Sequence, residues 1–79
     1  MSPDTFITSD FPLTVALLSL NFVIDTIDRT DPHRALFVFS RTPEILEAVD
    51  NYWKKTLQIE PQTYFQNFKL LKTRLYNHI

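Results

Sequence analysis

Not one of the 79 residues is glycine, and that absence limits the fold more than any residue present. Glycine takes left-handed backbone angles without steric cost. A chain without it must avoid such positions or fill them with Asn or Asp, which tolerate them next best. Asn21 is the clearest candidate, because it stands where a short helix should stop before a strand. The same absence removes ligand sites. The Walker loop and the dinucleotide fingerprint both need glycines so that backbone can approach phosphate, and no nucleotide cofactor of those kinds is expected. Cysteine is absent too. Disulfides and thiolate metal sites are therefore excluded, and the chain is compatible with a cytoplasmic location.

A chain this short makes one domain, taken as residues 1–79 with an ordered core from about 5 to 77. Small domains bury a modest share of their surface, and here seven Phe, three Tyr and one Trp supply dense packing instead of a disulfide. The longest apolar stretch, Phe11 to Ile24, is interrupted by Thr14, Ser19 and Asn21. It is too short and too polar for a membrane span. The N-terminal Met1-Ser2-Pro3-Asp4 lacks the pattern of a signal peptide.

Local patterns give an order of elements. Thr5 to Thr8 is β-branched and aromatic, and reads as a first strand. Ser9 or Asp10 offers an N-cap, with Pro12 in the first turn of a helix running to about Leu20. That helix is apolar on nearly all sides and should lie between layers. Phe22 to Arg29 and Ala35 to Phe39 form a hairpin across the Asp31-Pro32-His33-Arg34 turn. The second of these strands is apolar throughout, which predicts a central strand covered on both faces. Thr42-Pro43-Glu44 starts a second helix that ends near Trp53, followed by Lys54 and Lys55. Leu57 and Ile59 alternate with polar residues as in a brief fourth strand. Glu60-Pro61 opens a third helix with the stripe Tyr64, Phe68, Leu71, Leu75 and Ile79. The expected class is two-layer α+β, with a small, mainly antiparallel sheet of three or four strands and three helices. The order β-α-β-β-α-(β)-α resembles a ferredoxin-like arrangement.

Catalytic signals are weak. His33 lies in a turn and His78 beside the C-terminus, neither in the sequence context of a nucleophile–base pair. Asp25, Asp28 and Asp31 recur every three residues, yet on a strand Asp25 and Asp28 would point to opposite faces. Without a glycine and a final Glu they do not form a calcium loop. Acids that guard a sheet edge explain them. No catalytic residue, cofactor or metal ligand is assigned, and the chain is read as a non-enzyme.

Charge is more informative. Residues 1–60 hold all nine carboxylates against five Lys or Arg, whereas residues 61–79 hold Lys69, Lys72 and Arg74 and no acid. Either the cations complement the dipole of the last helix, or they form a binding face. The first functional reading is a non-catalytic module contacting nucleic acid through Lys54, Lys55, Lys69, Lys72 and Arg74. A base-stacking sheet would place Phe37 and Phe39 on an exposed face, but burial under helices accounts for them better. The alternative reading is a protein–protein adaptor or self-associating protein, a homodimer for instance, with Tyr52, Trp53, Tyr64, Phe65 and Tyr76 at its interface.

Several phrases carry a family resemblance: Thr8-Ser9-Asp10 before the apolar helix, Asp28-Arg29-Thr30-Asp31-Pro32, Phe37-Val38-Phe39, Thr42-Pro43-Glu44, Tyr52-Trp53, Tyr64-Phe65, Lys69-Leu70-Leu71-Lys72 and Arg74-Leu75-Tyr76-Asn77. Together, from about Phe6 to Asn77, they resemble a small family of bacterial and phage- or plasmid-associated proteins catalogued as a domain of unknown function. The family usually has glycine where this chain has Asn21, and Asn can hold the same left-handed cap. The resemblance implies no functional residue. It implies a setting in mobile elements or DNA-linked biology.

Overall fold

A computed structural model describes residues 4–76. Its elements are β1 (Thr5–Thr8), α1 (Phe11–Ser19), β2 (Ile24–Asp28), β3 (Leu36–Ser40), α2 (Pro43–Trp53) and α3 (Pro61–Tyr76). The sheet runs β1-β3-β2 and is antiparallel throughout. Through α2 the chain follows a ferredoxin-like course, and then it departs, because α3 comes where such a fold has its last strand. The molecule is a slab of 35 × 32 × 18 Å, the thickness of a sheet and one helical layer.

β3 is central, as its composition predicts, but only one of its faces is covered. Phe37 and Phe39 are 2% and 1% exposed and face the helices. Leu36 and Val38 are half-buried on the outer face, beside Ile7. The apolar run therefore overstates the covering. A bulge lies between Ile24 and Thr26 and corrects a second expectation. The extra residue turns Asp25 toward Ser40, whose hydroxyl donates to its carboxylate at 3.0 Å. Asp25 and Asp28 thus share the outer side, not opposite sides.

Helix α1 occupies the middle of the helical layer, touching both α2 and α3. Asp10 caps it by accepting the Leu13 amide at 3.0 Å, which resolves the choice between Ser9 and Asp10. Residues 13–17 are all buried. Thr14, the one buried polar residue among the described residues, donates its hydroxyl to the Asp10 carbonyl at 2.8 Å. A ring chain ties the layers together: Phe37 meets Phe11 edge-on at 6.4 Å, and Phe11 meets Phe68 of α3 at 4.9 Å.

Both α1 and α2 end in the same glycine-type turn without glycine. After α1, Asn21 sits at φ 72°. Its amide donates to Leu18 and that of Phe22 to Leu17, which is the Schellman pairing. After α2, Lys55 takes φ 63°, with its amide bonded to Tyr52 and that of Thr56 to Asn51. Asn21 is where the sequence places a left-handed residue. Lys55 is not, since a lysine side chain gives no local compensation for that geometry.

Of the three or four strands the sequence allows, the sheet has three among the described residues. Residues 56–60 run without strand pairing, and Leu57 and Ile59 lie half-buried against the helical layer. Their alternation marks one buried side, and the cover is helix instead of sheet. Glu60 then caps α3 by accepting the Gln62 and Thr63 amides at 3.1 and 2.8 Å. These backbone hydrogen bonds hold its carboxyl below the usual range. Leu71 is buried, and Tyr64, Phe68 and Leu75 pack against the core, in line with the expected stripe. Ile79, the last member of that stripe, and His78 lie outside the described residues.

Candidate functional site

The five cations singled out by sequence do not form one cluster. Lys54 pairs with Asp50 at 2.8 Å on the exposed end of α2. Hydrogen bonding to that carboxylate, and its charge, raise the ammonium pKa. Its positive charge is locally offset. Lys55 borders an open groove of about 440 Å³ with Ala16, Tyr52, Leu57, Ile59 and Tyr64. Arg74 falls on a different flank of α3, roughly 140° round from Lys69 at the helical 100° per residue.

Lys69 and Lys72 do come together, and with two of the aromatic residues. Phe65, Lys69, Lys72 and Tyr76 are spaced i, i+4, i+7 and i+11, so they share one side of α3 over about 16 Å. All four are exposed, Phe65 at 59% and Tyr76 at 76%. The Lys69 ammonium sits over the Phe65 ring, 5.1 Å from its centroid, an attraction of cation for ring face. No Asp or Glu occurs in residues 61–79, so nothing on this helix offsets the two lysines.

Tyr76 continues the stripe into a second feature. It lines a cleft of about 440 Å³ at the hairpin turn together with Arg29, His33 and Arg34. One Arg29 guanidinium nitrogen donates to the Leu75 carbonyl at 2.7 Å. That bond fixes the arginine at the end of α3, where a cation also suits the helix dipole. Asp31 lines the same cleft, and its carboxylate accepts the His33 amide at 2.8 Å. Asp28 likewise accepts the Thr30 amide at 2.9 Å. Hydrogen bonding to Thr30 lowers its pKa. Sequence reading missed Arg29 and Arg34, because only the tertiary fold brings the hairpin turn beside α3.

The remaining aromatic candidates have other surroundings. Tyr64 is half-buried and donates its hydroxyl to the Pro12 carbonyl at 3.4 Å. Tyr52 is half-buried and meets Trp53 edge-on at 5.0 Å. Burial, and then the charge of Asp10, push both phenols upward. Trp53 is 61% exposed. Among the described residues no group of three His, Asp or Glu is placed to hold a metal, and no helix is long and apolar enough to cross a membrane.

The model of the family described as Domain of unknown function (DUF5659) matches residues 3–77. The chain belongs to that family. The match spans the whole α+β unit of this DUF5659 member, from β1 through the hairpin cleft and the α3 stripe, and so agrees with the resemblance read from its phrases. No curated protein and no solved structure matches the chain.

Proposed function

We propose that the protein is a small non-catalytic module that binds nucleic acid through the exposed side of α3. The observation that carries this reading is the stripe Phe65–Lys69–Lys72–Tyr76, whose two lysines face solvent with no carboxylate on their helix. Cations spaced along a rigid rod suit a line of phosphates, and aromatic rings beside them suit bases. The acids lie elsewhere: Glu44, Glu47 and Asp50 are on α2, and Glu60 is engaged as a cap. A cytoplasmic setting, in a phage, plasmid or other mobile element, is what this reading and the sequence resemblance together imply.

Fluorescence anisotropy with a labelled oligonucleotide tests it. The protein should bind at low salt and weaken as salt rises. The double variant Lys69→Glu, Lys72→Glu should bind at least about tenfold more weakly, with a salt slope lower by about one per lost phosphate contact. Absence of binding at low salt, or equal binding by the double variant, would overturn the reading.

A second reading rests on Trp53. It lies seven residues, two helical turns, from Leu46, which is also exposed, on the same side of α2. An exposed tryptophan on a helix side that also carries an exposed leucine is the kind of anchor that protein interfaces use. If the protein self-associates there, sedimentation at high protein concentration shows a dimer that Trp53→Ala abolishes. A monomer at every concentration removes self-association from consideration.

A further inference from the structure

The nature of the nucleic acid follows from the aromatic residues and from where the stripe leads, given the binding face proposed above. A duplex keeps its bases stacked inside and offers a helix surface mainly phosphate, for which lysines alone suffice. Here two rings on the binding side stand open to solvent, at 59% and 76% exposure, with Lys69 held over one of them. Rings interleaved with cations match a strand whose bases are unpaired and can stack on side chains. The stripe also does not stop at the end of α3. Tyr76 belongs both to a surface hollow with Lys69 and Lys72 and to the hairpin cleft with Arg29 and Arg34. One ring therefore joins two cationic segments.

We propose that the ligand is a single strand of nucleic acid, with bases stacked on Phe65 and Tyr76 and phosphates passing from Lys69 and Lys72 into the hairpin cleft toward Arg34. Arg29, anchored by the Leu75 carbonyl, sets the wall of that cleft and presents its remaining N–H groups. Asp31 opposes a phosphate there, although its carboxylate is turned to the His33 amide. The proposal therefore includes a residue that limits affinity, and neutralising it should strengthen binding.

The test compares a labelled thymidine single strand of about 15 nucleotides with a duplex of equal length at low salt, a length at the upper end of the site size of one small module. The single strand should bind at least about tenfold more tightly. Phe65→Ala and Tyr76→Ala should each weaken single-strand binding about fivefold or more and duplex binding by a smaller factor, with the thermal midpoint little changed because both side chains are exposed. Phe65→Trp should retain binding, because it keeps a stacking face. Arg34→Glu should weaken the single strand and Asp31→Asn should strengthen it. If single strand and duplex bind alike and both alanine variants keep full affinity, the stacking proposal fails while the lysine-based reading stands. If neither probe binds at low salt, both fail.

Discussion

Phe37→Ala is expected to lower the thermal midpoint by roughly 12–40 °C. Removing a large buried ring costs about 3–5 kcal/mol, and each kcal/mol moves the midpoint of a domain this size by about 4–8 °C. The whole stability of such a chain is only about 4–12 kcal/mol, so the variant should approach the limit of folding. Phe37 is 2% exposed and touches the ring of Phe11, which in turn touches Phe68. Its loss therefore loosens the contact between sheet and helices as well as the strand. Val38, the next residue, faces the uncovered side of the sheet, and Val38→Ala should cost about 1 kcal/mol or less. Thermal unfolding followed by circular dichroism checks both. Equal losses would mean that the outer face is packed after all. If Phe37→Ala does not fold, Phe37→Leu gives the same comparison at smaller cost.

The second large effect is expected from Leu71→Ala, at about 2–5 kcal/mol. Leu71 is the single fully buried residue of α3, the one whose side chain reaches the core without contact to solvent. Its neighbour Leu70 is 62% exposed, and Leu70→Ala should leave stability within about 0.5 kcal/mol of the parent. Adjacent leucines with opposite consequences make a sharp control. Hydrogen exchange should show α3 amides losing protection in the Leu71 variant before the β2–β3 ladder does. Uniform loss across the chain would show instead that α3 is not a separable unit.

Much of this fold is legible in sequence where the chemistry is local. Thr42-Pro43-Glu44 encodes a helix start in three residues, and the Thr42 hydroxyl does accept the Ile45 amide. Asn21 announces a left-handed turn because its side chain tolerates one. Lys55 announces nothing, as its geometry is imposed by the helix end it must close. Period-two alternation at Leu57 and Ile59 reports a buried side but not what buries it, so groove and sheet read alike. The run Leu36 to Phe39 is apolar on both sides, yet only tertiary arrangement decides that one side stays open.

The candidate site was half visible for a different reason. Phe65, Lys69, Lys72 and Tyr76 carry their common phase in their numbering alone. Sorting residues by chemistry sends the lysines to one hypothesis and the rings to another, whereas sorting by helical phase puts them on one face. Lys54, Lys55 and Arg74 join them only by type, not by place. Arg29 and Arg34 enter through tertiary contact, which no local pattern reports.

The position of β1 at the sheet edge also orders the events of folding. Asp28 faces Leu36 across a short turn, whereas Thr8 reaches Phe37 only after α1 and β2 have been laid down. Closing the longer loop costs more chain entropy before any contact rewards it. The hairpin should therefore form early and β1 should dock late. Mutations at Phe6 should then speed unfolding and leave the refolding rate nearly unchanged, while mutations at Ile27 slow refolding. Stopped-flow kinetics of the two variants would reverse that order if β1 belongs to the nucleus. Of the three strands, the one that comes first in the chain is thus expected to pair last.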